Sequence, residues 1–365
     1  MKSKILFILH TPPPVHGSSV VGKAIKDSQV IKEAFECTYI NLGTSRTVDE
    51  IGKNPFVKIG RYLRIIVDVL KQLLTNKPNL CYLAITAKGP AFYKDSLIAL
   101  LASGFGVRMV YHFHNKGVST RQHKALDNFL YKSVFKNANA ILLSKYLYHD
   151  VEKYFTTDSV HYCPNGIPET AISRKPKAKS HAVEILFLSN LIESKGVFVL
   201  LEACKILHDK QIPFHCTYVG SEGDITATRF QQKVQELNLA NQVNYAGKKY
   251  GPEKEKVFAN AHIFAFPTYY KNETFGLVNL EAMQHFLPIV STFEGGIPDV
   301  IEDGVTGFLV PQQDSQALAE KLEILIQNPA LRQQMGEAGR LKYEQEFTLN
   351  KFEERLKGIL MEIIQ

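Results

Sequence analysis

The sequence lacks several patterns that would assign its class at once. No stretch reaches the ~18 consecutive apolar residues that a membrane span requires, and the apolar run at residues 5–9 is too short for the core of a signal peptide. The five cysteines are scattered, with no Cys-x-x-Cys pair, so we expect reduced thiols in a cytoplasmic protein. No helix-turn-helix, zinc-finger or RNP pattern is present, so nucleic acid is the least favoured partner.

Charge is distributed unevenly along the 365 residues. Residues 1–180 hold 26 Lys and Arg against 12 Asp and Glu, a balance of +14, whereas the remaining residues hold 17 against 24, a balance of −7. A basic half beside an acidic half indicates two modules with different partners. The basic half suits anionic lipid, an anionic acceptor or nucleic acid, and a lysine-rich solvated surface explains it equally well.

Short apolar, β-branched runs alternate with longer helical patterns, which predicts parallel sheets with helices on both faces. In the first half, strands are predicted at residues 4–9, 38–41, 80–85, 108–113 and 140–143, and helices at 20–35, 56–74, 92–102 and 121–135. The basic segment at 174–180, RKPKAKS, is a predicted linker.

The alternation restarts after this linker. Strands are predicted at 184–188, 215–219, 243–245, 263–266 and 288–291, and helices at 196–209, 228–237, 253–260, 277–285, 315–327, 330–344 and 350–364. We therefore expect an α/β protein with two doubly wound domains facing a cleft, where the carboxyl ends of the strands bind ligands.

Two features of the first half lie where predicted strands end. The loop HTPPPVHGSS contains Gly17 and leads into a helix whose free N–H groups can hold a phosphate, although a plain strand-to-helix turn explains it as well. Alternation places His112 and His114 on one face of the fourth strand. A histidine there can hydrogen-bond a hydroxyl, transfer a proton, bind zinc or be structural, but no third zinc ligand stands at a fitting spacing.

The second half opens with a candidate anion site. The segment NLIESKG, which includes Asn190 and Lys195, lies between a predicted strand and a predicted helix. Lys195 at such a turn can neutralise a diphosphate with help from the helix N-terminus. A solvated lysine beside a turn glycine is the alternative.

The strongest pattern is an acidic pair. Glu273 and Glu281 are eight residues apart in PTYYKNETFGLVNLEAM, which runs from a strand end through a loop into a helix. Both carboxylates can point into one cleft and accept hydrogen bonds from sugar hydroxyls, while the N–H groups of residues 274–277 take a phosphate. A helix-capping acid and a solvated glutamate are the alternative. In the next segment, FEGGIPDVIEDGVTGFLVP, Gly295 and Gly296 allow the backbone to approach a ligand.

Together these motifs resemble the family of retaining glycosyltransferases with the GT-B fold that is often called family 4. The E-x7-E element, the Glu-Ala-Met that follows and the GGIPDVIEDGVTGFLVP segment look like its donor-site signature, and the resemblance covers essentially the whole chain. It implies two Rossmann-like domains: residues 1–173 on the acceptor side, with helix 350–365 packing back on them, and residues 181–349 binding a nucleotide-diphosphate sugar. It further implies that a hexose-type sugar moves from a UDP- or GDP-sugar to a glycan or lipid-linked hydroxyl with retained configuration, without metal or further cofactor.

The resemblance also implies roles for the matching residues. His114 would lie near the sugar and acceptor, Lys195 would stabilise the leaving nucleotide, and Glu273 would hold the transferred sugar. Glu281 would hold the ribose hydroxyls, and Gly17 would let its loop approach the phosphates. The full donor-binding set would be Gly17, Asn190, Lys195, Glu273, Thr274, Phe275, Gly276, Leu277 and Glu281. No general base is implied, because the family's usual front-face mechanism passes the acceptor proton to the donor's phosphate oxygen.

The sequence departs from the family pattern in three places. Ser189 and Asn190 stand where Gly-Arg is common, so one diphosphate cation is missing; either another lysine replaces it or the donor binds differently. Ser18 and Phe286 each replace a usual glycine. A sugar-nucleotide epimerase or phosphorylase of the same fold, or a non-catalytic sugar-nucleotide-binding subunit, therefore stays open as an alternative.

The helix predicted at 56–74 carries an apolar stripe opposite a charged face. The stripe consists of Phe56, Ile59, Leu63, Ile66, Leu70 and Leu73, and the charged face of Lys58, Arg61, Asp68 and Lys71. Such a helix can lie against the anionic inner face of a membrane, and a core helix with one solvated face is the alternative. Together with the basic first half, it suggests a lipid-linked or growing polysaccharide acceptor.

Overall fold

Parallel sheets form the centre of both halves of the chain. The computed structural model describes residues 2–13, 17–43, 55–170 and 182–365. Its internal contacts divide the chain into unit 1, Met1–Gly166 with Leu349–Gln365, and unit 2, Ile167–Thr348. The predicted linker at 174–180 lies outside the described residues. Of the helices in the described ranges, none is both long and apolar enough to cross a membrane.

Unit 1 is built on six parallel strands. These are β1 Lys4–Leu9, β2 Glu36–Asn41, β3 Leu80–Leu83, β4 Arg108–Phe113, β5 Asn139–Leu142 and β6 Val160–Tyr162, in the order β2-β1-β3-β4-β5-β6. The helices are α1 Gly17–Asp27, α2 Gln29–Ala34, α3 Pro55–Thr75, α4 Gly89–Gly104, α5 Ala125–Val134 and the last helix of the chain, α13 Leu349–Ile364. Short 3-10 turns lie at Lys145–Asp150 and Thr157–Ser159.

The core of unit 1 explains why its central strands are apolar on both faces. Ile5 of β1 lies opposite Leu80 of β3 in parallel register, and both side chains are buried. One face of α13 joins this core through Phe352, Leu356, Ile359, Leu360 and Ile363. Because each large apolar side chain contributes roughly 1.5–3 kcal/mol when buried, the last helix is held firmly in unit 1.

Unit 2 repeats the design. Its strands are β7 Val183–Leu188, β8 Phe214–Val219, β9 Val243–Tyr245, β10 Ile263–Phe266, β11 Ile289–Thr292 and β12 Gly307–Val310, in the order β12-β11-β10-β7-β8-β9. Its helices are α6 Val197–Asp209, α7 Ala227–Glu236, α8 Gly251–Asn260, α9 Leu277–Gln284, α10 Ile297–Val300, α11 Ser315–Gln327 and α12 Pro329–Lys342. A 3-10 turn follows β7 at Glu193–Lys195, and a π-helical turn at Tyr343–Phe347 precedes α13.

The strand order of unit 2 reverses between β7 and β10. The chain builds outwards from β7 to β9 and then returns to place β10 on the other side of β7. In doubly wound sheets, ligands bind at such a switch point, beyond the carboxyl ends of the two strands. The loops after β7 and β10 therefore mark the expected crevice, and they contain Lys195 and Glu273.

The predicted α/β architecture with two doubly wound sheets is confirmed, and several elements match to the residue, including β4, β9, β10 and α11. The helix predicted at 20–35 is instead two helices, because Ser28 ends the first and its Oγ accepts a hydrogen bond from the Ile31 N–H (3.2 Å) at the start of the second. The short elements β6, α10 and β12 were not predicted.

The apolar stripe predicted on α3 does not coincide with the buried face of this helix. The buried line consists of Ile65, Val69 and Leu73, whereas Ile59 and Leu63 are each 55% exposed. Apolar residues cover more than half of the helix circumference, so the pattern alone did not select the face that meets the sheet. The side chains of Phe56 and Lys58 lie outside the described part of the chain.

Candidate active site

Three loops of unit 2 are fastened together beyond the ends of β7, β10 and β11. The Tyr269 N–H donates to the Ser194 carbonyl (2.8 Å), which joins the loop after β10 to the turn after β7. The Gly296 N–H donates to the Thr274 carbonyl (2.8 Å), which joins the loop after β11 to the first two. The predicted Lys195, Glu273 and double-glycine segments are therefore neighbours in space.

Two glycines permit this close packing. Gly196 has a φ of +88° and Gly295 a φ of +56°, both in the left-handed region that side chains rarely adopt. A Cβ on Gly196 would clash with the Pro267 carbonyl, and one on Gly295 would clash with the Glu273 carbonyl. Gly295 thus serves to bring the loop after β11 against the backbone of the first acidic residue.

Lys195 and Glu273 form an ion pair at the centre of these loops. The Lys195 Nζ lies 2.5 Å from Glu273 Oε2, and the two side chains are only 15% and 12% exposed. The ammonium also lies over the Tyr270 ring, 4.4 Å from its centroid. A lysine enclosed by a carboxylate and an aromatic face is a fixed cation, suited to binding a phosphate group that arrives beside it.

Glu273 also accepts a hydrogen bond from the backbone that leads into the next helix. The Gly276 N–H donates to Glu273 Oε1 (3.1 Å), and α9 starts at the following residue. Phe275 is buried and its ring packs edge-on against Phe347, at 5.9 Å between centroids, so its side chain belongs to the core and only its backbone faces the loop. Thr274 is buried and Leu277 half-buried. The predicted cluster of Glu273 with the N–H groups of α9 is thus formed, with one of those groups hydrogen-bonded to the glutamate itself.

Glu281 lies on α9 in an ion pair of its own. Its Oε1 lies 2.6 Å from the Nζ of Lys254 on α8, a partner that the sequence analysis missed. Its Oε2 is buried without a hydrogen-bond partner among the described residues. No spacing in the sequence signals Lys254, because the pair depends on how α8 packs on α9.

Asn190 does not supply the missing cation. It is exposed, and its Oδ1 accepts a hydrogen bond from the Ser221 N–H (3.4 Å) in the loop after β8. The amide therefore helps to fix two neighbouring loops.

His114 lies in unit 1 just after β4, and its ring contacts that of His112, with 4.1 Å between ring centroids and an angle of 39° between the ring planes. His112 is fully buried and hydrogen-bonds through Nδ1 to the Tyr82 hydroxyl. Burial, with a smaller effect of His114, lowers the pKa of His112 well below its usual value, so this ring is neutral. Across the described ranges, no three His, Cys, Asp or Glu side chains are grouped as metal ligands are.

Gly17 is the first residue of α1 and is exposed. A Cβ there would meet none of the described residues within 4 Å, so their packing does not itself require this glycine. Gly22, which the sequence analysis missed, is the sterically required one, because a Cβ there would clash with the His10 carbonyl at the end of β1. Gly22 thereby allows α1 to pack against the backbone at the end of β1.

Comparison with known families identifies the second unit. Residues 168–342 match the family model of glycosyl transferases group 1. This segment is just under half of the chain and lies within unit 2, so unit 2 is similar to the glycosyl transferases group 1 family. The matched segment contains all three loops around the Lys195–Glu273 pair and also the Lys254–Glu281 pair.

Curated relatives match over about half of the chain. The capsular polysaccharide biosynthesis glycosyltransferase CapM of Staphylococcus aureus is 29% identical over 47% of this chain and 44% of its own length. The amylovoran biosynthesis glycosyltransferase AmsK of Erwinia amylovora is 33% identical over 53% of this chain and 48% of its own length. The chain thus spans about half the length of the curated relatives it matches.

Solved structures match over the whole chain. A glycosyltransferase from Rickettsia africae has a TM-score of 0.77 at 19% identity and is covered over 99% of its length by all of this chain. Anabaena HepE in complex with UDP-glucose has a TM-score of 0.72 at 17% identity, with 98% of this chain covering 99% of it. The chain therefore has the GT-B fold.

Proposed function

We propose that this chain is a retaining glycosyltransferase that moves a hexose-type sugar from a UDP- or GDP-sugar to a hydroxyl of a glycan or lipid-linked acceptor in polysaccharide biosynthesis. The observation that carries the proposal is the Lys195–Glu273 pair at the switch point of a sheet whose residues match the family model of group 1 glycosyl transferases. The names of the matched relatives support the biosynthetic role.

Each residue then has a defined task in unit 2. Glu273 accepts hydrogen bonds from hydroxyls of the transferred sugar, and Lys195 neutralises the diphosphate as the glycosidic bond breaks and negative charge develops on the leaving group. The N–H groups at the start of α9 assist Lys195, and Glu281 holds the ribose hydroxyls. Lys195 is bound to Glu273, so an arriving diphosphate shares a cation that is already in place.

His114 of unit 1 is assigned to the sugar and the acceptor. Its neighbour His112 is neutral and held by Tyr82, so it provides a fixed surface against which the His114 ring packs. No side chain is assigned as general base: the acceptor hydroxyl passes its proton to the departing phosphate oxygen, while the new glycosidic bond forms on the same face.

A thermal-shift panel with UDP-, GDP- and ADP-sugars tests the proposal, because a ligand that binds only the folded state raises its stability. We expect the sugars of one nucleotide to raise the Tm. We also expect the sugar nucleotide that binds to be hydrolysed slowly when no acceptor is present. Binding without hydrolysis or transfer would point to a non-catalytic subunit. Interconversion of free sugar nucleotides would point to an epimerase.

We further propose that unit 1 contacts an anionic membrane from the cytoplasmic side. The helices α3, α4 and α5 pack in succession on the sheet and expose large apolar side chains. The most exposed of these are Ile59, Leu63, Val67, Leu74, Leu97, Leu126 and Phe129. On α3 the basic residues Arg61, Arg64 and Lys71 line a groove of about 400 Å³ beside β2. Apolar side chains next to cations are suited to the interface of a bilayer with anionic headgroups.

Sedimentation with anionic and zwitterionic vesicles at low and high salt tests this contact. We expect binding to the anionic vesicles at low salt, and a strong loss in the variant Leu63→Asp/Val67→Asp. Leu341→Asp on unit 2 is the matched control, because Leu341 is 54% exposed outside the apolar surface. The absence of binding at low salt, or equal losses in both variants, would contradict the membrane contact.

A further inference from the structure

Helix α8 is fastened to α9 at a fixed position. His285, directly after α9, lies with its Nε2 3.0 Å from Glu255 Oε2, and its ring stacks on Phe258 at 4.8 Å between centroids. Its Nδ1 lies 2.8 Å from the carbonyl oxygen of Glu281. The buried ring of His285 therefore ties α8 to the same turn of α9 that carries the second acidic residue.

Lys254 uses this fixed position to hold the Glu281 side chain. Its Nζ lies 2.6 Å from Glu281 Oε1, and both side chains are 25% exposed, which removes most of the water that would screen the pair. Oε2 of the same carboxylate is buried with no partner in the described ranges. A carboxylate oxygen without a donor is unfavourable, and a hydroxyl group is a donor of the kind it lacks.

We propose that Lys254 is a positioning residue for the nucleoside of the donor: it orients the Glu281 carboxylate towards the ribose hydroxyls and offsets its charge. This inference rests on the proposed function. The offset matters because a nucleoside diphosphate is itself an anion, and an unpaired carboxylate near it would repel it. With Lys254 in place, the pair is neutral overall, so the ribose gains its hydrogen bonds without that repulsion.

The lysine at this position is not explained by helix stability. Lys254 lies near the N-terminus of α8, where the helix dipole disfavours a positive charge. Lys256, two residues further on, is exposed. The same substitution can therefore be made at the lysine that pairs with Glu281 and at a lysine of the same helix that does not.

The test is isothermal titration of the full chain with UDP and GDP and with their 2′,3′-dideoxy counterparts. For the nucleotide that binds, Lys254→Met is expected to weaken ribonucleotide binding about tenfold, corresponding to the loss of a charge-assisted contact, and to leave dideoxynucleotide binding unchanged. Glu281→Gln should produce a similar loss, and the double variant should lose no more than either. Lys256→Met should bind as the unchanged chain does, and Lys254→Arg should recover most of the affinity.

Two results would overturn the inference. If Lys254→Met binds the ribonucleotide as well as the unchanged chain does, the lysine has no part in recognition. If it weakens ribonucleotide and dideoxynucleotide equally, the lysine acts on the diphosphate or on the fold and not through the ribose. Failure of the unchanged chain to bind either ribonucleotide would instead refute the proposed function, and the inference with it.

Discussion

The Lys195–Glu273 pair makes a specific prediction about stability. The two charged atoms are 2.5 Å apart and both side chains are largely buried. Lys195→Met removes the cation and leaves the Glu273 carboxylate with the Gly276 N–H as its remaining described partner. Removing one member of a buried ion pair costs about 3 kcal/mol, because the other charge stays desolvated. For a unit of this size, each kcal/mol corresponds to roughly 2–4 °C, so we expect the Tm to fall by about 6–12 °C.

A double-mutant cycle separates the pair from its surroundings. Glu273→Gln alone leaves Lys195 unpaired, whereas Lys195→Met/Glu273→Gln removes both charges, so we expect the double variant to recover about 2 kcal/mol of the summed losses. The control is Lys210→Met in the same unit, whose pair with Glu323 (2.6 Å) is more exposed and should change stability by less than about 1 kcal/mol. Urea denaturation measures all four variants. Additive losses in the cycle, or a control as damaging as Lys195→Met, would refute the reasoning.

Four further outcomes follow from the structure. Glu281→Ala should weaken nucleotide binding measured by calorimetry, whereas Glu273→Ala should lower turnover more than it lowers binding; unchanged kinetics in both would refute the site. His114→Ala should reduce transfer to the acceptor while nucleotide affinity, measured in parallel, stays the same. Gly295→Ala should lower both Tm and turnover, because its positive φ and the Glu273 carbonyl exclude a Cβ; a stable, active variant would contradict this packing. Burial raises the pKa of Asp95 to about 6, so the free energy of unfolding should decrease as this carboxyl ionises between about pH 4 and pH 7. The stability of Asp95→Asn relative to the unchanged chain should therefore increase by up to about 3 kcal/mol over that range. Parallel pH–stability curves for the two proteins would contradict this.

The local sequence pattern was sufficient to predict the two sheets and the loops that follow their strands. Alternation of apolar strands and amphipathic helices predicts two parallel sheets, and the loops at their carboxyl ends then contain Lys195 and Glu273. The strand β12 was missed because its four residues lie in a segment dominated by turn residues, and its pairing with β11 comes from distant sequence. The Lys254–Glu281 pair was missed for a similar reason: it depends on how α8 packs on α9, which no spacing within the chain reveals.

The orientation of α3 shows the same limit. Its apolar residues surround more than half of the helix, so the sheet selected Ile65 and Val69 for the core and left Leu63 exposed. Periodicity predicts that a helix has an apolar face, but when that face is wide, only the neighbouring elements determine which part of it is buried.

A crystal structure with the nucleotide sugar chosen by the thermal-shift panel tests the central claim most directly. We predict a ribose hydroxyl on the Glu281 carboxylate, a sugar hydroxyl on Glu273 and the diphosphate beside Lys195 and the first N–H groups of α9. A donor bound elsewhere on the chain, with neither carboxylate touching it, would contradict the account.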